Sequence, residues 1–195
     1  MLRVALTGPE STGKTTLSQQ LAGHYGTSWV PEYARQYLET HDIGLAYTLA
    51  DVEAIARGQL AAEDAAIAAA EARGLPVIFC DTELLVIKVW TEHAFGECPN
   101  WIREEIERRR YDLILLLGVD LPWEPDPLRE HPHLRQYFYD LYRRELTEQL
   151  SNFAEIDGSA ERRLEQAIFV VDTLLGRDTG PILASSNPDY QHPQL

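Results

Sequence analysis

Residues 8–15 read Gly-Pro-Glu-Ser-Thr-Gly-Lys-Thr, two glycines followed at fixed spacing by a lysine and a threonine. This spacing is typical of a phosphate-binding P-loop. The apolar run at 2–7 before it suits a buried strand, and Leu17, Leu21 and Tyr25 after it recur at helical spacing. The loop is therefore predicted between a strand and a helix, where backbone N–H groups and the helix N-terminus converge on one point.

This loop predicts the binding of ATP together with Mg²⁺. Lys14 would reach the β- and γ-phosphates, and the hydroxyl of Thr15 would hold the metal ion. The loop residues expected to contact the nucleotide are Gly8, Glu10, Ser11, Thr12, Gly13, Lys14, Thr15 and Thr16. The alternative, a glycine-rich turn without a ligand, does not account for the agreement of pattern and flanking elements.

Composition and net charge disfavour several classes of protein. A chain of 195 residues suits one globular domain, and a formal net charge of −14 disfavours non-specific binding to nucleic acid or an anionic membrane. No stretch resembles a transmembrane helix, and the start of the chain leads directly into the first predicted strand. The cytoplasm is the expected compartment, and homo-oligomerisation stays open.

Apolar strands alternate with helical patterns along most of the chain, which predicts an α/β fold of the P-loop NTPase type. A parallel sheet with helices on both faces is expected, formed by five strands at about 2–7, 28–30, 76–81, 112–118 and 153–158. Residues 1–176 would form the P-loop domain. From 177 to 195 the chain is rich in Gly, Pro and Asn and reads as a flexible C-terminal tail.

Residues 121–133 contain four prolines and read as a mobile surface segment rather than a helix or strand. With Arg129 and Arg135 this segment predicts a lid, at about 121–135, that closes positive groups over a transferring phosphate. The alternative is that the two arginines pair with Glu124 or Glu130 on the surface.

Carboxylates follow the predicted strands, at the edge of a parallel sheet where ligands gather. Asp81 follows the third strand and is a candidate partner for Mg²⁺, although it could instead cap the next helix. Glu32 follows the second strand and is a candidate general base, with a first-turn helix acid as the alternative. Asp120 follows the fourth strand.

Aromatic residues also lie close behind the strand ends. Tyr33, Trp90 and Trp123 could line a substrate pocket, although core packing is the ordinary role of any one of them. The chain lacks Asn-Lys-x-Asp, so a GTPase is disfavoured. A small P-loop domain with a lid containing proline and arginine favours phosphate transfer to a small molecule.

Several stretches together resemble the nicotinamide riboside kinase domain of the NadR-type NAD-biosynthesis proteins. They are Gly-Pro-Glu-Ser-Thr-Gly-Lys-Thr-Thr at 8–16, Val-Pro-Glu-Tyr-Ala-Arg at 30–35, Ile-Ala-Arg-Gly-Gln at 55–59, Phe-Cys-Asp-Thr-Glu at 79–83, Lys-Val-Trp-Thr-Glu-His-Ala-Phe-Gly at 88–96, Tyr-Asp-Leu-Ile-Leu-Leu at 111–116 and Asp-Leu-Pro-Trp at 120–123. The resemblance covers about residues 1–175.

The resemblance implies ATP-dependent phosphorylation of the ribose 5′-hydroxyl of nicotinamide riboside, giving nicotinamide mononucleotide. It implies that an acid at a strand end handles the hydroxyl and that aromatic residues hold the pyridine ring. On this chain the implied substrate-binding residues are Glu32, Tyr33, Arg35, Asp81, Trp90, Asp120 and Trp123. The predicted catalytic residues are Lys14, Glu32, Asp81 and Arg129.

No nucleotidyl-transfer motif precedes the P-loop, so the kinase step alone is expected. Two alternatives stay open. One is a kinase for another nucleoside, since Val-Pro-Glu at 30–32 also resembles the start of deoxynucleoside kinase sites. The other is an ATP-binding regulatory module that signals through the tail at 176–195.

Overall fold

A single five-stranded sheet forms the centre of the molecule. The computed structural model describes residues 1–41, 47–126 and 129–178. All strand pairs are parallel and the strand order is β2-β3-β1-β4-β5. The strands are β1 Leu2–Thr7, β2 Trp29–Val30, β3 Val77–Asp81, β4 Leu113–Leu117 and β5 Phe153–Ile156. The predicted α/β fold with a five-stranded parallel sheet is confirmed.

Helices connect the strands, as parallel pairing requires. In the described ranges they are α1 Lys14–Tyr25, α2 Tyr33–Thr40, α3 Leu49–Ala72, α4 Leu84–Phe95, α5 Asn100–Arg108, α6 Arg135–Glu148 and α7 Ala160–Leu174. The longest, α3, begins with a capping box: the Thr48 hydroxyl accepts the Asp51 N–H while the Asp51 carboxylate accepts the Thr48 N–H.

Both faces of the sheet are covered because its strands alternate between two apolar sets. Val4 and Leu6 of β1 face one side, where α1 and α7 pack through residues such as Leu21 and Val171. Ala5 faces the other side, where α3, α4 and α6 pack. Each large apolar side chain buried in these two layers stabilises the fold by about 1.5–3 kcal/mol. The prediction of helices on both faces is therefore correct.

Some predicted boundaries differ from the structure. The second strand holds two residues, because it lies at an edge of the described sheet, where it pairs only with β3, and because it is followed by Pro31, which lacks an N–H. Between Gly118 and Leu134 the described residues form turns and irregular chain. Residues 177 and 178 of the predicted tail have no regular structure, and 179–195 lie outside the described residues. Within the described ranges, every helix is too short or too polar to span a bilayer.

Candidate functional site

The P-loop occupies the turn between β1 and α1, as predicted. Gly13 stands at the N-cap of α1 with φ of 82°, a left-handed conformation that glycine adopts without strain. Because Gly13 has no side chain, the N-cap residue makes no side-chain hydrogen bond to the first turn of this helix. Its first N–H groups and the positive end of its dipole are therefore available to an anion, which is the requirement of a phosphate site.

Two arginines outside the motif hold the loop in shape. Arg163 of α7 is buried and donates 2.6 Å from Nη1 to the carbonyl of Thr12. Arg135, the first residue of α6, donates 2.9 Å to the carbonyl of Ser11. Arg135 was predicted from the sequence, whereas Arg163 lies about 150 residues beyond the loop and carries no motif that identifies it. These hydrogen bonds place the positive charge of both guanidinium groups beside the loop.

The lysine of the loop is held close to where the phosphates are expected. Nζ of Lys14 donates to the carbonyls of Gly8 and Pro9, at 2.9 Å each. Carbonyls are weaker acceptors than phosphate oxygens, so a bound nucleotide can take over these hydrogen bonds.

Thr15 and Asp81 supply oxygens that suit Mg²⁺. The Thr15 hydroxyl donates 2.6 Å to Oδ2 of Asp81, whose other oxygen, Oδ1, is buried with no hydrogen-bond partner in the described chain. The described residues hold no group of three or more His, Cys, Asp and Glu side chains that could bind a metal by themselves. This donor set fits Mg²⁺, which commonly binds one or two protein oxygens and completes its shell with phosphates and waters.

The alternative that Asp81 merely caps the next helix is wrong. Glu83 is the N-cap of α4: it accepts 2.5 Å from the Leu85 N–H and 2.9 Å from the Thr7 hydroxyl. Burial raises the pKa of Asp81, while Lys14 and the hydrogen bond from Thr15 lower it. The carboxylate is thus placed beside the P-loop and left without a capping role.

Glu32 stands at the N-cap of α2, but its side chain accepts no capping hydrogen bond. It lines the same cavity as the P-loop. Burial raises its pKa above the usual value for glutamate; Lys14 and Arg35 lower it, and Asp81 and Glu10 raise it. A carboxylate with an elevated pKa and no capping role has the properties of a general base.

The P-loop and Glu32 line a cavity of about 520 Å³. The P-loop part of the lining runs from Gly8 to Thr16 and includes all eight loop residues predicted to contact the nucleotide. Another part of the lining is largely apolar and aromatic, and includes Tyr47, Val52, Ile55, Val86, Trp90 and Phe138. The cavity therefore combines phosphate-binding groups with side chains suited to an organic ring.

The structure brings some predicted substrate residues into this cavity and leaves others out. Trp90 and Arg35 line it, and the ring centroid of Trp90 lies 4.6 Å from that of Tyr47. Tyr33, Asp120 and Trp123 are not among the described residues that line it, and neither is Asp81. The Asp120 carboxylate instead pairs with Arg163 and accepts the Gly158 N–H. The ring of Tyr33 packs beside Gly58 of α3.

Among the lining residues that the sequence did not predict as site residues are Tyr47, Gln59 and His131. Gln59 belongs to the stretch Ile-Ala-Arg-Gly-Gln that carries the family resemblance, but that stretch does not indicate that Gln59 lines the cavity. Tyr47 and His131 come from connecting segments, whose course depends on contacts far along the chain. No local pattern identifies such residues.

The predicted lid lies directly on the P-loop. The Glu10 carboxylate accepts the backbone N–H groups of Glu130 and His131, at 3.1 and 3.0 Å. Ser11 Oγ accepts the Glu124 N–H at 2.9 Å, and Arg129 donates 2.5 Å to the Glu124 carbonyl.

The contacts of Arg129 and Arg135 in the described chain are with backbone carbonyls and with Ser11 Oγ. The predicted alternative, surface ion pairs with Glu124 or Glu130, does not occur among these contacts. Residues 127 and 128 lie outside the described part of the segment.

The sequence matches the AAA domain family over residues 3–163. Over 130 residues it is 33% identical to the trifunctional NAD biosynthesis/regulator protein NadR of Escherichia coli strain K12, a match covering 65% of this chain and 30% of that protein. The NadR protein of Salmonella typhimurium strain LT2 is 33% identical over 128 residues, with the same coverage. The match thus spans less than a third of the length of these curated relatives.

Solved structures agree with this assignment. A NadR protein in complex with NR has a TM-score of 0.77 and 26% identity, covering 94% of this chain and 54% of that chain. A NadR protein in complex with NAD and AMP-PNP has a TM-score of 0.73 and 25% identity, covering 93% and 51%.

A deoxyadenosine kinase from M. mycoides, with a TM-score of 0.59 and 13% identity, covers 88% of this chain and 100% of that chain. At that identity it shows the shared fold alone. The P-loop geometry, the sequence match and the NadR structures agree, and the resemblance to the NadR proteins is confirmed. The chain belongs to the AAA domain family of P-loop proteins.

Proposed function

We propose that this protein is an ATP-dependent kinase that phosphorylates the ribose 5′-hydroxyl of nicotinamide riboside (NR), giving nicotinamide mononucleotide. The observation that carries the proposal is a cavity lined by the P-loop, by Glu32 and by an aromatic chamber, the part of the lining that contains Tyr47, Trp90 and Phe138. Its volume of about 520 Å³ lies within the usual range for small-molecule sites.

The P-loop end would bind the phosphates of ATP. The backbone N–H groups at the start of α1 would receive the phosphates, and Lys14 would move from the loop carbonyls to the β- and γ-phosphates. Thr15 and Asp81 would hold Mg²⁺, which when bound neutralises charge on the phosphates. The NadR complex with AMP-PNP, a nucleotide, supports this part of the proposal.

Glu32 would accept the proton of the acceptor hydroxyl. The hydroxyl oxygen then forms a bond to the γ-phosphorus, the bond from that phosphorus to the β–γ bridging oxygen breaks, and ADP leaves. Glu32 suits this role better than Asp81. The Asp81 carboxylate already accepts the Thr15 hydroxyl, whereas the Glu32 carboxylate makes no hydrogen bond or ion pair with the described residues. Arg129 would stabilise the charge on the transferring group.

The aromatic chamber would hold the base. The pyridine ring of nicotinamide riboside carries a positive charge, and a cation is attracted to the face of a tryptophan or tyrosine ring. Trp90 and Tyr47 provide two such rings side by side. The NadR complex with NR supports this acceptor.

The test is ADP release from purified protein with Mg-ATP and one acceptor at a time. Nicotinamide riboside would be compared with cytidine, uridine, adenosine, thymidine and no acceptor. The proposal expects stimulation by nicotinamide riboside above all others. Stimulation by another nucleoside alone would support kinase activity but contradict nicotinamide riboside as the acceptor. Bound ATP with no stimulation by any acceptor would favour a regulatory module.

A further inference from the structure

The buried side chain of Gln59 in α3 makes two hydrogen bonds that fix its amide orientation. Its Oε1 accepts the backbone N–H of Tyr33 at 2.9 Å, and its Nε2 donates 3.1 Å to Glu63. Glu63 in turn accepts 2.8 Å from the hydroxyl of Tyr111. A flipped amide would place a donor against the Tyr33 N–H, so the network admits one arrangement.

Gly58, the preceding residue, accommodates the ring of Tyr33. A Cβ atom at this glycine would lie 2.0 Å from Cε1 of Tyr33, closer than any side-chain contact allows. Two consecutive residues of α3 thus hold Tyr33, one by its backbone and one by its ring. Tyr33 is the first residue of α2 and directly follows Glu32.

The side chain of Glu32 does not cap the helix that it precedes. A carboxylate at an N-cap ordinarily accepts an N–H group of the first helical turn. Glu32 does not do so, although it occupies the N-cap position. The start of α2 is instead anchored from outside by Gln59, and the Glu32 side chain lines the cavity.

We propose that Gln59 is a positioning residue, which anchors the start of α2 so that the carboxylate of Glu32 stays turned toward the acceptor hydroxyl rather than capping its own helix. The catalytic part of this inference rests on the proposed function. The anchoring itself rests on the hydrogen bonds of Gln59 and on the close approach of Tyr33 to Gly58.

The first test compares steady-state kinetics of Gln59→Leu and Gln59→Glu. Gln59→Leu removes the acceptor for the Tyr33 N–H and is expected to lower kcat by about 10- to 100-fold, the order of loss caused by a small misplacement. KM for ATP should stay within about twofold, because the P-loop is untouched. Gln59→Glu keeps that acceptor and can share one proton with Glu63, so it should recover most of kcat.

Ile156→Val, a small loss from the core at the last residue of β5, serves as the control for lowered stability alone. Its kcat should match the wild type. Equal kcat in Gln59→Leu and Ile156→Val would overturn the proposal.

The second test does not depend on activity. The Glu32 carboxyl is titrated by ¹³C NMR in the wild type and in Gln59→Leu. Lys14, Arg35, Asp81 and Glu10 surround this carboxyl and are the same in both proteins. If the carboxylate turns to cap α2 in the variant, backbone N–H donors stabilise its charged form and its pKa falls.

An unchanged Glu32 titration, with only a lower melting temperature, would show that Gln59 is purely structural and would overturn the positioning role. A wild-type protein that phosphorylates no nucleoside would contradict the proposed function, while this titration still decides the positioning role.

Discussion

The hydroxyl of Thr15, in the first turn of α1, donates a 2.6 Å hydrogen bond to Oδ2 of Asp81, at the end of β3. The two residues are 66 positions apart and meet because β1 and β3 are paired neighbours in the sheet. Two oxygen ligands of the kind that Mg²⁺ prefers are thereby held together beside the phosphate-binding loop.

Asp81→Asn is expected to raise the Mg²⁺ concentration needed for half-maximal activity by about tenfold, because the amide oxygen lacks the charge that draws a divalent cation. The measurement is ATP turnover with nicotinamide riboside over a Mg²⁺ titration. Asp64→Asn, which removes a surface carboxylate paired with Arg109, is the matched control. Identical Mg²⁺ dependence in all three proteins would contradict the assignment of Asp81 as a metal ligand.

Glu32→Gln is expected to lower kcat by about 10²–10⁴-fold, the usual contribution of a general base. The wild-type kcat should fall as pH falls through the raised pKa of Glu32, because the base must be deprotonated to accept a proton. The variant should lack this acid limb. Glu39→Gln, an exposed change in the same helix, is the control. A Glu32→Gln enzyme with wild-type kcat would remove Glu32 from the mechanism.

Gly58→Ala and Gly23→Ala should have opposite effects on stability. Alanine in a helix is ordinarily favoured over glycine by about 1 kcal/mol. A Cβ at Gly23 of α1 meets nothing within 4 Å, so that gain should be realised. At Gly58 the ring of Tyr33 must move, and a net loss of about 1–3 kcal/mol is expected. Urea unfolding measures both, and a gain in Gly58→Ala would contradict the close packing of Tyr33.

Glu83 makes the stability of the fold depend on pH. Burial raises its pKa from 4.5 to about 7, with the N–H of Leu85 and the hydroxyl of Thr7 opposing the shift. The folded state therefore binds more protons than the unfolded chain between these values. The contribution of Glu83 to the free energy of unfolding is fully present below about pH 4.5 and is lost as the pH rises through about 7. The free energy of unfolding should decrease by about 3 kcal/mol over this range.

Glu83→Gln should remove this decrease, because an amide can accept from Leu85 and donate to Thr7 without titrating. Urea unfolding at several values between pH 5 and 8 compares it with the wild type and with Glu104→Gln, an exposed control. Parallel stability curves for the wild type and Glu83→Gln would show that Glu83 does not titrate in this range.

Much of the fold could be predicted because its signals are local. The P-loop motif and the apolar runs predicted the parallel sheet and the covering of both its faces. The length of β2 was overestimated, since a two-residue edge strand followed by proline has little pattern to read.

The site could be predicted only where sequence position determines geometry. Glu32 and Asp81 follow strand ends and were predicted near the P-loop because parallel strands end at one edge of the sheet. The structure places Glu32 in the cavity lining and Asp81 beside Thr15. Tyr33 follows Glu32 directly, yet its ring packs against α3 outside the cavity lining, because a helix turns successive side chains in different directions. Gln59 and Tyr47 enter the cavity through contacts between distant segments, which no local spacing reveals.

The proposed phosphorylation of nicotinamide riboside is tested most directly by identifying the product of the reaction. Protein, Mg-ATP and nicotinamide riboside are incubated and analysed by mass spectrometry, with the 5′-deoxy riboside and Lys14→Ala as controls. Lys14→Ala should lose at least about 100-fold in rate, since it removes a charge from the transferring phosphate. The expected result is nicotinamide mononucleotide formed by the wild type, much slower formation by Lys14→Ala, and no phosphorylated product from the 5′-deoxy riboside. Undiminished turnover by Lys14→Ala, or ATP binding without a phosphorylated nucleoside, would contradict it.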